Sequence, residues 1–138
     1  MTLELEISTD RSRLDREMIY RFLSQESYWS PGIARELVER GIENAHCFGA
    51  YLGEKQVGFA RVVTDYARFG YLGDVFILSE YRGRGYGKTL VRAIMNDPDL
   101  HSVSRFLLFT RDAHTLYEKY GFESITDPRR AMVWSRPL

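Results

Sequence analysis

Residues 74–95 read DVFILSEYRGRGYGKTLVRAIM, and their order decides how the rest of the chain is interpreted. Val75, Phe76, Ile77 and Leu78 form an apolar run of strand character, while Leu90, Val91, Ile94 and Met95 recur at helical spacing. Between the two, Gly83, Gly85 and Gly87 alternate. Glycine lets the backbone bend there without Cβ clashes, so several N–H groups can converge, and the positive end of the following helix adds to their field. Arg82, Arg84 and Lys88 surround the turn with cations suited to phosphate oxygens. Strand, turn and helix together make an anion site whose natural occupant is a pyrophosphate. Taken without its flanks, the same turn reads as a glycine-rich surface loop with solvated arginines.

Two phosphate-binding formats fail. The dinucleotide pattern G-x-G-x-x-G needs a third glycine three positions after the second, and Gly87 follows Gly85 by two. The mononucleotide loop G-x-x-x-x-G-K-[ST] finds its end in Gly87-Lys88-Thr89 but needs glycine where Arg82 stands. A nucleotide enzyme would also need a second acidic strand end for magnesium.

Working outward, Leu3, Leu5 and Ile7 alternate with acids as in a half-buried strand. Residues 12–22 and 34–42 carry apolar side chains at helical spacing and predict two helices, joined through Glu26 to Ser30. His46 to Leu52 and Gln56 to Thr64 predict a hairpin across Gly53-Glu54-Lys55, and Tyr71 to Leu78 a third strand. After the helix that ends at Asn96-Asp97-Pro98, Arg105 to Thr110 reads as a buried strand. Asp112 is placed to cap a short helix that Gly121 ends, and Ala131 to Trp134 to add a last strand. The order is β-α-α-β-β-β-α-β-α-β, a mixed α/β (α+β) fold in one domain over residues 1–138.

Composition narrows the function. The 138 residues include 19 basic and 19 acidic side chains, so no global charge favours nucleic acid or an anionic membrane. An RNA-binding role for Arg82 to Gly87 is disfavoured for that reason and by the embedding strand and helix. The lone Cys47 has no disulfide partner, and no Cys or His set has metal-ligand spacing, so no metal is expected. No apolar run approaches the roughly 18 residues of a membrane span. A cytoplasmic protein is expected.

The remaining format, R/Q-x-x-G-x-G/A after a strand, is met by Arg82, Gly85 and Gly87, and residues 113–122 read AHTLYEKYGF, matching A-x-x-L-Y-x-K-x-G-F. In these two segments, in this order, the chain resembles the GNAT (GCN5-related N-acetyltransferase) family, with the likeness extending from His46 to Phe122. The resemblance implies a central, mostly antiparallel sheet flanked by helices. It further implies an acyltransferase that moves an acetyl group from acetyl-CoA (coenzyme A as cosubstrate) to a primary amine. Coenzyme contacts then fall on Arg82, Gly83, Arg84, Gly85, Tyr86, Gly87, Lys88 and Thr89 for the pyrophosphate, and on backbone amides of Val75, Phe76 and Ile77 for the pantetheine arm. Many members place an asparagine before the last helix, where this chain has Thr110-Arg111-Asp112, so Thr110 or Arg111 stands in for that contact.

The chemistry assigns roles. An alkylamine with a pKa near 10.4 is neutral in only about one molecule in 2,500 at pH 7, so its proton must be removed. The leaving thiolate benefits from a hydroxyl that donates a hydrogen bond or proton, and the resemblance puts Tyr117 beside the sulfur. Asp74 is the candidate to relay the amine proton or to hold a cationic acceptor; its alternative is a hairpin-end carboxylate. His46 is a weaker candidate base, next to Cys47 at a strand start. Cys47, in an apolar run, is expected to be buried and inert, which favours direct transfer in a ternary complex. Tyr28 and Trp29, between the first two helices, with Tyr66, Phe69 and Tyr71, form a candidate aromatic wall for a small-molecule amine, or otherwise belong to the core. A peptide or protein acceptor is the alternative, and the chain is expected to be a monomer or homodimer.

Overall fold

Strand residues alternate between two cores, one on each face of the sheet, and helices cover both. The computed structural model describes residues 3–137. The strands are β1 (Leu5–Ser8), β2 (His46–Leu52), β3 (Lys55–Thr64), β4 (Phe69–Ile77) and β5 (Arg105–Leu107), in the spatial order β1-β2-β3-β4-β5. The first three pairings are antiparallel and β4–β5 is parallel. On one face, Phe48, Ala60, Val62, Leu72 and Ile77 meet Leu90, Val91 and Ile94 of α3 (Tyr86–Met95) and Tyr117 of α4 (His114–Glu118). On the other, Cys47, Phe59 and Phe76 meet Met18 and Ile19 of α1 (Arg16–Arg21) and Val38 and Ile42 of α2 (Arg35–Glu43). This is the mixed, helix-flanked and mostly antiparallel sheet expected from the sequence.

Four local readings are corrected. The strand read over Arg105 to Thr110 is only Arg105–Leu107, and none of residues 105–110 is fully buried, because β5 lies at the edge of the sheet. The first helix breaks up: Asp10 caps a 3-10 turn over Arg11–Arg13, Asp15 caps α1, and a π-turn over Phe22–Glu26 follows. No side chain caps α4, and Thr110 Oγ1 rather than Asp112 accepts the Ala113 N–H. Residues 131–137 form no strand and are exposed, so the sixth strand is absent among the described residues. No described helix is long and apolar enough to cross a membrane.

The β3–β4 turn is held by Asp65, whose Oδ1 accepts the N–H groups of Ala67, Arg68 and Phe69. Those bonds, that of Arg68 foremost, hold the carboxyl down to about 2. Because the folded value is depressed, this contribution is present above the ordinary carboxyl range near 3.9 and lost as pH falls toward 2. In an NMR titration of the carboxyl groups, Asp65 should be among the last to protonate on acidification. A midpoint near 3.9 would show that the turn is open in solution.

Candidate active site

The site exists because β4 and β5 part. Their ladder runs only from Phe69↔Arg105 to Tyr71↔Leu107, beyond which β4 continues toward the Gly83–Gly85 turn while the chain after β5 swings away to α4. A bulge accentuates the parting. Arg61 faces Gly73 and Phe59 faces Phe76, so Asp74 and Val75 together oppose Ala60, and their backbone groups leave the ladder. Asp74 carries φ 51, a left-handed value uncommon outside glycine. It lies within β4 and not at a hairpin end.

The cleft has two chambers. The larger, about 540 Å³, runs from Val75, Phe76 and Ile77 to Arg82, Gly83, Gly85, Tyr86 and Gly87. The smaller, about 340 Å³, is walled by Tyr71, Gly73, Asp74, Phe109 and Thr110. Both are lined by Tyr28, Trp29, Val75, Arg111 and Tyr117, which mark the waist between them.

At the end of the larger chamber, Gly83 (φ 79) and Gly85 (φ 81) take left-handed conformations, and Gly85 leads directly into α3. The turn therefore delivers the free N–H groups of a helix start to the chamber. Arg82 is fixed by donating from Nε to the Ile77 carbonyl at 2.9 Å. Gly87 needs a different explanation. It sits in the first turn of α3, and a Cβ there would come no closer than 3.7 Å to Leu116 Cδ2. Alanine would favour the helix by about 0.5–1 kcal/mol, so nothing inside the protein requires glycine. The missing Cβ leaves room for a ligand pressed against the backbone, which is how a phosphate on the helix amides would sit. Thr89 turns inward, its Oγ1 donating to the Gly85 carbonyl, and Arg84 lies over Tyr81. Lys88 comes close enough to Lys119 to hold the latter's ammonium below its ordinary range, so two cations converge beside the helix start.

At the waist, Tyr117 is 8% exposed and packs edge-on against Phe122. Burial, and secondarily Tyr28, pushes its phenol up to about 12. The group is a donor at any physiological pH. Across from it, the Tyr28 hydroxyl accepts the Arg111 N–H at 3.3 Å, and the Arg111 guanidinium lies 3.8 Å from the Tyr28 ring centroid. The π-turn makes this crossing possible: Ser27 donates from its N–H to the Phe22 carbonyl and from Oγ to the Leu23 carbonyl, which turns Tyr28 and Trp29 into the cleft.

Asp74 is doubly engaged. Trp29 Nε1 donates to its Oδ1 at 2.7 Å, and Arg61 Nε to its Oδ2 at 2.6 Å. Phe109 and Glu26 border the cleft and were not anticipated, nor was Arg61, which lines neither chamber but pairs with Asp74 through strand register, something residue spacing alone does not display. Tyr66 and Phe69 lie elsewhere. Tyr66 sits in the β3–β4 turn with its hydroxyl 3.3 Å from His46 Nδ1, and Phe69 begins β4 at the far end of the sheet. His46 also meets Asp97 at 2.9 Å, outside both chambers. Cys47 is buried as expected, and that burial raises its thiol.

The comparisons with known proteins agree with this geometry. The model of the acetyltransferase (GNAT) domain matches residues 43–124. A crystal structure assigned to the GNAT family, from Xanthomonas campestris pv. campestris, shares 47% identity and a TM-score of 0.93, covering 99% of this chain and 96% of the other. The acetyltransferase-like FG08082 protein of Gibberella zeae is 29% identical over 136 residues, covering 82% of this chain and 75% of that protein. GCN5-related N-acetyltransferase 2, chloroplastic, of Arabidopsis thaliana is 32% identical over 89 residues, 59% of this chain and 34% of that one. The chain belongs to the GNAT acetyltransferase family, and its reaction class is acetyl transfer.

The Asp74 clamp yields a test. Asp74→Asn keeps a short polar side chain that tolerates φ 51, whereas Asp74→Ala removes both acceptors and leaves a residue ill suited to that conformation. The alanine variant should be less stable than the asparagine variant by about 1 kcal/mol or more in urea unfolding. Equal stabilities would mean that the clamp does not hold the bulge.

Proposed function

We propose that this protein transfers the acetyl group of acetyl-coenzyme A to the primary amine of a small molecule while both are bound, with residues 1–138 acting as one catalytic unit. The observation that carries this is the place of Tyr117, which lines both chambers where they meet, with Asp74 of the β4 bulge on the wall of one and the glycine turn at the end of the other. Acetyl-coenzyme A supplies the activated thioester. The loop from Arg82 to Thr89 holds its pyrophosphate, the backbone of Val75, Phe76 and Ile77 lines its pantetheine arm, and Arg111 with Thr110 borders the thioester end.

The phenol's high pKa decides what Tyr117 does. Moving its proton fully from about 12 to a thiolate near 8.5 would be uphill by about 5 kcal/mol. Tyr117 therefore stabilises the departing sulfur as a hydrogen-bond donor and keeps its proton. Asp74, held by Arg61 and Trp29, lines the smaller chamber, where the acceptor enters as the ammonium ion and passes its proton to water, with Asp74 to relay it. The neutral amine then attacks the thioester carbonyl, its second proton leaves by the same route, and the thiolate departs hydrogen-bonded to Tyr117. The aromatic faces of Trp29, Tyr28 and Tyr71 suit the incoming ammonium ion. Two further features support the reading. Tyr28 and Arg111 close over the waist, which favours a small acceptor over a peptide lying in an open groove. Cys47 is buried outside both chambers, so direct transfer needs no acyl-cysteine.

Gly87→Glu places a carboxylate at the anion site in a position with room for a side chain, and an acid suits a helix start. The variant should fold with unchanged or higher thermal stability and lose about tenfold or more in coenzyme A affinity by calorimetry. Unchanged affinity in a folded variant would move the coenzyme elsewhere.

For the chemistry, thiol release from acetyl-coenzyme A is measured with a panel of amines. Tyr117→Phe should lower turnover by about 10- to 150-fold, the worth of a hydrogen bond to a charged atom of about 1.5–3 kcal/mol, with coenzyme affinity retained. In the parent, the rate should not fall as pH rises through about 10, where an ordinary tyrosine ionises. A turnover within about threefold of the parent, with chemistry limiting, would reduce Tyr117 to a packing residue.

A further inference from the structure

Two charges of opposite sign stand side by side at the waist of the cleft. Arg111 and Asp112 line both chambers, and neither has an ion-pair partner among the described residues. Asp74, by contrast, is already matched to Arg61. Arg111 is held ready for a ligand: its guanidinium lies over the Tyr28 ring, 3.8 Å from the centroid, while its side-chain N–H groups donate to no described residue. Stacking fixes the plane of the group and leaves its edge free, and that fork of donors matches the two oxygens of a carboxylate.

The coenzyme has no use for that fork. With its pyrophosphate on the glycine turn at the far end of the larger chamber, what reaches the waist is a neutral thioester. An anion on Arg111 therefore arrives with the acceptor. An acceptor that also brings an ammonium group finds Asp112 next to Arg111, so the neighbouring charges suit a zwitterion. An α-amino acid carries both groups on one carbon, which keeps the reacting nitrogen at the waist beside Tyr117 while the side chain enters the smaller chamber.

The wall of that chamber selects the side chain. Tyr71 and Gly73 lie two apart on β4 and share a face. A Cβ at Gly73 would come within 2.7 Å of Tyr71 Cε2, so the glycine makes room for the ring to lean along the strand toward Asp74. Phe109, 73% exposed, meets that ring with 6.1 Å between centroids. The two form an apolar corner in a chamber of about 340 Å³, and an apolar side chain seated there would cover the bare face of Phe109.

We propose that the acceptor is an α-amino acid with a large apolar side chain, its carboxylate on Arg111 and its side chain in the corner of Tyr71 and Phe109. This rests on the acetyl transfer put forward above, and the reaction is unchanged. The nitrogen–carbonyl bond forms and the carbonyl–sulfur bond breaks; of the two protons the ammonium sheds, one ends on the released thiol and the other in solvent.

Acceptor pairs that differ by one carboxylate test the proposal: phenylalanine against phenethylamine and leucine against isopentylamine, in the thiol-release assay. The parent should use each amino acid with kcat/KM about tenfold or more above that of its amine, and alanine, which leaves the corner empty, about tenfold or more below phenylalanine. Arg111→Met keeps an apolar stem, removes the fork, and should shrink the preference for the amino acid by about tenfold or more. Comparing variant with parent cancels the amines' own basicities. Calorimetry with free coenzyme A bound, where no transfer occurs, should show the same loss in phenylalanine affinity. Should Arg111→Met not fold, Arg111→Gln takes its place. A parent that uses the amines as well as the amino acids overturns the proposal and leaves acetyl transfer standing. So does an Arg111 variant that loses equally with both members of a pair, which would put the guanidinium on the thioester, or an alanine rate equal to that of phenylalanine. Thiol release with no amine, while coenzyme A still binds, overturns the acetyl-transfer reading and this proposal with it.

Discussion

The separation of β4 from β5 is the constraint on which the site depends, and a bent backbone position just beyond the end of their ladder accentuates it. At Asp74 the chain takes a left-handed turn inside a strand, leaving two residues opposite one on β3. Such a conformation costs roughly 1–2 kcal/mol and persists only where the surroundings over-determine it. Here they do. Arg61 grips one carboxylate oxygen from the neighbouring strand and Trp29 grips the other from the helical layer. One side chain thus ties the sheet, the helical cap and the opening of the cleft together.

The rest of the site follows from that opening. Once β4 leaves β5, its end is free to run into the glycine turn and aim α3 at the larger chamber. The gap it leaves is walled by α4, which brings Tyr117 to the waist. Burial that keeps the Tyr117 proton in place comes from the same packing of α4 over the sheet that forms one of the two cores. Stability and chemistry share this wall.

The parts of this arrangement that are local in sequence were legible there. The strand, turn and helix of residues 74–95 appear as read, and the A-x-x-L-Y-x-K-x-G-F segment places Tyr117 on a short helix ended by Gly121 at φ 93. What was not legible is what register and irregular backbone create. The Arg61–Asp74 pair depends on a bulge, and the turning of Tyr28 into the cleft depends on a π-turn; neither has a spacing signature. Tyr66 and Phe69 were read as part of the acceptor wall because aromatic residues cluster there in sequence, yet Phe69 begins β4 and Tyr66 sits in the turn before it, outside both chambers. The run at residues 131–134 has strand character, but a strand also needs an edge to pair with, and the single chain does not bring one to it.

The claim that matters most is that the Tyr117 hydroxyl meets the sulfur while the α3 start holds the pyrophosphate. A crystal structure with coenzyme A bound decides it. The sulfur should lie within about 3.5 Å of Tyr117 Oη, with pyrophosphate oxygens on the backbone N–H groups between Gly83 and Lys88. A coenzyme whose pyrophosphate sits away from that turn, or whose sulfur lies beyond hydrogen-bond reach of Tyr117, would contradict the account.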